Sequence, residues 1–371
     1  MNPQKSPKKL KLSRNKYFAA NKNRSNNTHF WPKVVGLVAL LIVGVTVAYG
    51  AGIYFNAMES VQQTYQGSGK TSQKIAQKKP ISILLLGVDQ GLYGRHDPGN
   101  TDTMIVITIN PQKKRATMTS IPRDLLVRVF GGKNYYMSRI NSAHELGGAQ
   151  ASCKTVSTTL NIPIDYYMEV NMKTLESMVN AVGGVDVDVP FSFTYNNTHF
   201  KKGQMKLNGK QALDYSRMRK EDPRGDYGRQ MRQRQIITAI INKDKSISSV
   251  SHYRKILNII SKYVKTNLTF NDMMSVAINY HDASSNIDNG YLQGHTAIIG
   301  GASMQVAPTA ELQRISNLIR GNLDLPNKKL HNEETRQNRL QKDIDWKDPN
   351  AFDNYVIYAQ HSDTEAWDGT N

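Results

Sequence analysis

The sequence predicts a three-layer α/β/α sandwich with a mixed central sheet, preceded by one transmembrane helix. Three observations predict it. Ile81–Leu86, Met104–Ile109 and Thr117–Ile121 are apolar or alternating runs of strand length. Helical periodicity follows them, with helices expected at about 143–160, 172–182, 228–243, 249–265, 270–281 and 309–320. Strands mixed with helices on both sides form three packed layers. Ahead of all this, Val34–Phe55 carries no charge over 22 residues. At ~1.5 Å per residue such a helix spans about 33 Å, enough for the hydrocarbon core of a bilayer.

The segment before the span is basic. Residues 1–33 hold nine Lys or Arg and no acid, half of the formal net charge of +18. Such a segment stays in the cytoplasm, which places everything after residue 56 or so outside the cell. A cleaved signal peptide has a shorter apolar stretch and a shorter basic lead. The lone Cys153 excludes any intrachain disulfide. Export without disulfides fits a Gram-positive bacterium. The expected organisation is 1–33 basic cytoplasmic tail, 34–55 anchor, 56–79 stalk, 80–325 globular domain and 326–371 polar tail.

Gly67-Ser68-Gly69-Lys70-Thr71 in the stalk has the look of a phosphate-binding loop. It fails the motif, because Thr64 stands where the first glycine belongs and no apolar strand precedes it.

The first strand ends at Gly87-Val88-Asp89, and a loop through Arg95 leads back to Asp102. Asn110-Pro111 is a tight turn, so the second and third strands form an antiparallel pair. That brings Arg123, at the end of the third strand, beside Asp102. An antiparallel first strand brings Asp89 to the same rim. Two carboxylates suit Mg²⁺, which binds one or two acids plus phosphate oxygens. A guanidinium grips phosphate with a rigid fork. From these residues alone a plainer reading stands beside the chemical one: turn and cap residues next to a surface ion pair.

A second cluster lies at 217–235, where Arg217, Arg219, Lys220, Arg224, Arg229, Arg232 and Arg234 occur within nineteen residues. An extended segment would point Arg217 and Arg219 to one side, and a helix would put Arg229 and Gln233 on one face. Arginine outnumbers lysine six to one, which suits bidentate binding of a phosphate, although a solvated basic face or an RNA-binding patch would show the same residues. Nucleic acid would call for more aromatic stacking partners than Tyr215 and Tyr227.

In order along the chain, Leu84-Leu85-Leu86-Gly87-Val88-Asp89, Asn100-Thr101-Asp102-Thr103-Met104-Ile105, Ser120-Ile121-Pro122-Arg123-Asp124, Ile140-Asn141-Ser142-Ala143 and Gly183-Gly184-Val185-Asp186-Val187 resemble the LytR–CpsA–Psr signature. Leu207 through Leu213, Tyr215 through Arg219, Asp222, Gly225-Asp226 and Arg229 through Gln235 resemble its second half. The resemblance implies a phosphotransferase that moves an anionic glycopolymer, such as teichoic acid or capsule, from undecaprenyl pyrophosphate to the muramic acid 6-OH of peptidoglycan. It implies a hydrophobic tunnel for the lipid between sheet and helices. It implies a single-pass membrane protein with an extracytoplasmic domain and no nucleic-acid partner.

The residue roles carried over are these. Asp89 and Asp102 hold Mg²⁺. Arg95, Arg123, Arg217, Arg219, Arg229 and Gln233 grip the pyrophosphate. Asp89, Asp102, Arg123 and Arg217 form the catalytic set, with Asp89 a candidate general base and Asp124 a brace for arginines. Many members carry Arg two residues before the metal Asp; here it is Asn100, and Arg95 is the candidate replacement. Two other activities share parts of this pattern: a hydrolase using water as acceptor, and a membrane-bound transcriptional regulator, for which residues 1–33 are poor material.

Overall fold

The computed structural model describes residues 72–88, 99–132, 136–243, 263–280 and 286–348, with 259, 282–283 and 351–359. The expected anchor, the basic tail, most of the stalk, the loop with Asp89 and Arg95, and most of the helix expected at 249–265 lie outside them.

Three strands form the centre, as their apolar runs demand: β1 (Ile81–Val88), β2 (Thr101–Asn110) and β3 (Arg115–Ile121). Both neighbouring pairs are antiparallel, with Ile81 opposite Ile109 and Met104 opposite Ile121. Flanking them are β6 (Tyr166–Asn171), parallel to β1, and β12 (Ile287–Tyr291), parallel to β3. A short β11 (Val264–Thr266) pairs antiparallel to β6 and completes a mixed six-stranded sheet.

Alternation along the strands sends side chains to two apolar layers. Ile83, Leu85, Ile105, Ile107 and Met118 face one side. There they meet α3 (Met172–Ala181), α4 (Gly209–Arg217), α5 (Asp226–Lys243) and α6 (Phe270–Asn279) through residues such as Met178, Ala212, Ile236 and Met273. Leu84, Leu86, Met104, Val106 and Ile121 face the other side, against Val156 and Leu160 of α2 (Ser142–Leu160) and Ile315 and Ile319 of α7 (Thr309–Asn322). The predicted three layers are present. A four-residue helix, α1 (Gln73–Ala76), precedes β1 and buries Ile75 in the first layer.

Helix starts follow local chemistry. Asn171, Asn208 and Thr269 accept from backbone N–H groups three residues on, and the side chain there bonds back to the cap residue's N–H. Each such box closes two otherwise unpaired donors.

Two expectations differ from what folds. Residues 191–206, read as loop-rich, hold β8 (Phe193–Tyr195), β9 (Thr198–Phe200) and all but the last residue of β10 (Gly203–Leu207), which pairs with β7 (Val185–Val189). Asn196 and Asn197 both have positive φ, 47° and 64°, the geometry of a two-residue hairpin turn.

The second difference lies beyond residue 325. The described part of the expected polar tail is packed structure. In α8 (Glu333–Leu340) the buried residues are Glu334, Gln337 and Asn338. Gln337 donates to the Tyr358 carbonyl at 2.7 Å and accepts from its N–H at 2.9 Å. Just past the helix, Gln341 does the same with Val356, at 2.7 and 3.2 Å. Side-chain amides thus satisfy both main-chain groups of Val356 and of Tyr358. Phe352 and Tyr355 are buried with Leu126 of β4 (Leu126–Arg128) and with Ala297 and Val306 of the hairpin β13 (His295–Ile299) and β14 (Ala302–Val306). Polar composition hid this packing because the groups holding it are amides. Strand β4 itself pairs with β5 (Met137–Arg139).

Candidate functional site

One end of the sheet is built to gather charge. β1 stops at Val88, which lies opposite Thr101 across a bulge at Gly87. A Cβ at Gly87 would come within 2.8 Å of Thr103 Cβ, so this close pairing requires glycine. Asp102 is the second residue of β2, and Arg123 lies two residues past β3. The antiparallel register therefore sets Arg123 beside Asp102, and the two are ion-paired. Asp124 carries one oxygen 3.6 Å from Arg123 Nε and the other 3.6 Å from Arg139 Nε. It lies between two arginines, as a brace would.

The second cluster arrives from the helical layer. Arg217 closes α4, and Met218 leaves the helical conformation (ψ 134°), so Arg219 follows a bend rather than a continuous strand. Both are nevertheless on the same cavity wall. Arg229 and Gln233 share a face of α5 and line it too. Arg229 is 7% exposed. Its Nη2 lies 2.8 Å from Asp226 Oδ1 and donates to the main-chain carbonyl of Asp102 at 3.2 Å.

These side chains enclose a cavity of about 570 Å³. Its charged wall holds Asp102, Arg123, Arg217, Arg219, Arg229 and Gln233, six of the eight residues chosen from sequence. Asp89 and Arg95 lie outside the described residues. Its apolar wall comes from Leu85 deeper in β1, Val170, Leu175 and Ile237, all belonging to or packed on the first apolar layer. Tyr195 also lines it, delivered by the unforeseen hairpin; the Asn196-Asn197 pair was the available signal.

The electrostatics of the two inner arginines differ. Burial works against the Arg123 cation, but Asp102, then Asp124 and Asp226, outweigh it and raise its pKa. Burial dominates at Arg229, offset in part by Asp226, with Arg123 and Arg219 adding repulsion, and its pKa is lowered. The Nε atoms of both are buried and donate no hydrogen bond to any described residue. Buried donors normally find partners. An anion in the cavity would supply them and return the solvation that burial removes from Arg229.

Arg232 of the same basic cluster does a different job. It is fully buried, ion-paired to Asp222, and donates to the carbonyls of Tyr215, at 3.0 Å, and Met218. It fixes the bend that carries Arg217 and Arg219. A Cβ at Gly228 would sit 1.9 Å from Asp222 Oδ2, so glycine lets that carboxylate lie against α5.

Among the described residues no three acids, histidines or cysteines converge as a complete metal cage. Mg²⁺ does not need one, since it keeps waters and uses one or two carboxylates with substrate phosphate. Asp102, on the cavity wall and partly exposed, fits such a donor set.

The chain is similar to several known proteins. A relative from Enterococcus faecalis, named as a polyisoprenyl-teichoic acid–peptidoglycan teichoic acid transferase, TagU, is 40% identical over 295 residues, covering 78% of this chain and 96% of its own. The crystal structure of Bacillus subtilis TagU matches with TM-score 0.53 and 38% identity, over 66% of this chain and 97% of that one. A structure of TagT bound to LIIa-WTA matches with TM-score 0.58 and 28% identity, over 70% and 97%. The model of the LytR_cpsA_psr family matches residues 51–321, from before the first strand to the last turn of α7. By both the extent of that match and the identity of its relatives, the chain belongs to the LytR_cpsA_psr family.

Proposed function

We propose that the protein transfers a teichoic-acid-type glycopolymer from a polyprenyl diphosphate carrier to a hydroxyl of peptidoglycan. The observation that carries this is one cavity with two chemistries: arginines and Asp102 at the strand ends, and aliphatic side chains along the sheet face behind them. A diphosphate on a long hydrocarbon has both halves. The name of the Enterococcus faecalis relative supplies the polymer and the acceptor.

In this reading the acceptor oxygen attacks the phosphorus that carries the polymer. The bond to the bridging diphosphate oxygen breaks, polyprenyl phosphate leaves, and the hydroxyl proton passes to a base. Arg123, Arg217, Arg219 and Arg229 hold the phosphoryl oxygens and neutralise the charge that builds on them, which is where phosphoryl transfer gains most of its rate. Leu175 and Ile237 take the hydrocarbon. Asp102 and Asp89 would hold Mg²⁺, which supplies further charge neutralisation when bound. A membrane anchor at 34–55 keeps the domain beside a lipid-linked donor.

Labelled lipid-linked polymer incubated with purified peptidoglycan tests this directly. Label should move to peptidoglycan and stay on the lipid when peptidoglycan is omitted. Release of free polymer phosphate at the same rate without acceptor would make the protein a hydrolase. For Asp102→Ala, transfer should fall and its response to added Mg²⁺ should flatten; an unaltered Mg²⁺ titration would remove Asp102 from the metal site.

A further inference from the structure

A second cavity, of about 270 Å³, opens on the other side of α5, between that helix, β7 and β12. Into it faces Arg234, only 5% exposed. Its Nη1 donates to Ser120 Oγ, while its buried Nε has no partner among the described residues. No described acid neutralises it: burial lowers its pKa to about 10, opposed only by Tyr291. Thr238, one turn on and lining the same cavity, has a buried hydroxyl that is also unpartnered. A buried cation without a counter-charge is costly, and paired donors are the rule.

The rim is of another character. Asp186 and Asp188 point outward from β7, and Asn242 and Asn289 bring exposed amides. Asp186 is taken by Lys243 at 2.7 Å. Asp188 is left as an exposed carboxylate on the rim. A phosphate dianion would gain one guanidinium and meet a like charge at the mouth. A carboxylate matches a single guanidinium fork, and an ammonium on the same molecule matches Asp188. Amide side chains suit a peptide backbone between the two.

We propose that this groove is a subsite for a peptide carrying a free carboxylate and a free amine, the stem peptide of the acceptor glycan. The ligand class rests on the transferase reading above. The guanidinium of Arg234 takes the carboxylate, with the Thr238 hydroxyl beside it, and Asp188 takes the amine. The same helix that presents Arg229 and Gln233 to the donor cavity thereby holds the acceptor on its opposite side.

The test uses the full chain in detergent and a synthetic muramoyl peptide with both groups free, titrated by calorimetry against the same peptide amidated at its carboxylate. Amidation should raise the Kd of the wild-type protein about tenfold or more, as expected for losing a charge-assisted pair. Arg234→Gln should bind the free-acid peptide as weakly as the wild type binds the amidated one, and should no longer distinguish the two. Asp188→Asn, on the surface, should weaken binding by a smaller factor. Equal affinity of the wild type for both peptides would overturn the proposal, and that arm needs no variant to fold. So would retained discrimination in Arg234→Gln, or displacement of the peptide by inorganic phosphate at equal concentration. Polymer transfer by the same preparation separates the two readings. Transfer without carboxylate discrimination sinks the subsite alone, whereas absence of transfer sinks the enzyme.

Discussion

Replacing Arg123 with Ala should lower polymer transfer by about 10²–10³-fold, the range seen when one preorganised donor to a charged transition state is removed. The fold should hardly notice. Its partner Asp102 is 30% exposed at the side chain and Arg123 itself 22%, so the ion pair is partly screened and worth on the order of 1 kcal/mol. Activity and stability thus separate. The measurement is a pair: transfer rate with saturating donor, and thermal unfolding of the same preparation. A rate within threefold of wild type would remove Arg123 from the chemistry. A large drop in melting temperature would show that it is scaffold instead.

The opposite balance is expected at Asp222, ten residues before its partner Arg232. Asp222→Ala should destabilise the protein by about 3–5 kcal/mol, because it leaves Arg232 charged and buried without its partner. Both side chains of that pair are fully buried, in contrast to Arg123 and Asp102. The pair also has a pH signature. Burial raises the Asp222 pKa, but hydrogen bonds from Arg224 and Arg232 outweigh it and hold the carboxyl below its ordinary range. A depressed folded-state pKa gives stability that is complete above the unfolded value, near 4, and is lost as pH falls through the folded one. Denaturant unfolding of wild type and variant at pH 7 and at pH 3 measures this. The gap between them should narrow at the acid end; a gap that widens there would contradict the assignment.

The central sheet was legible because buried central strands must be apolar without interruption. Ile81–Leu86 and Met104–Ile109 carry that signature, and the Asn110-Pro111 turn dictates how their neighbour returns. Edge strands escape such a reading. β12 is Ile-Asp-Asn-Gly-Tyr, polar at its centre because it is covered less. The arginines were found as a group, but their division was not visible. Arg232 sits inside the fold and Arg229 one turn earlier borders the cavity. Spacing along a helix shows which residues share a face. Which face meets the sheet is settled by Tyr215, Met218 and Asp222, from other segments. The C-terminal packing was invisible for a related reason, since Gln337 and Gln341 are buried through bonds to backbone that no hydropathy pattern reports.

The bond from Arg229 ends on the carbonyl oxygen of residue 102, which every amino acid carries. Helix and strand, 127 positions apart in the chain, are therefore clasped in a way that ignores what side chain stands at 102. A lineage can trade the acid there for another group and keep the clasp. The chemistry of the rim can drift while its architecture stays put.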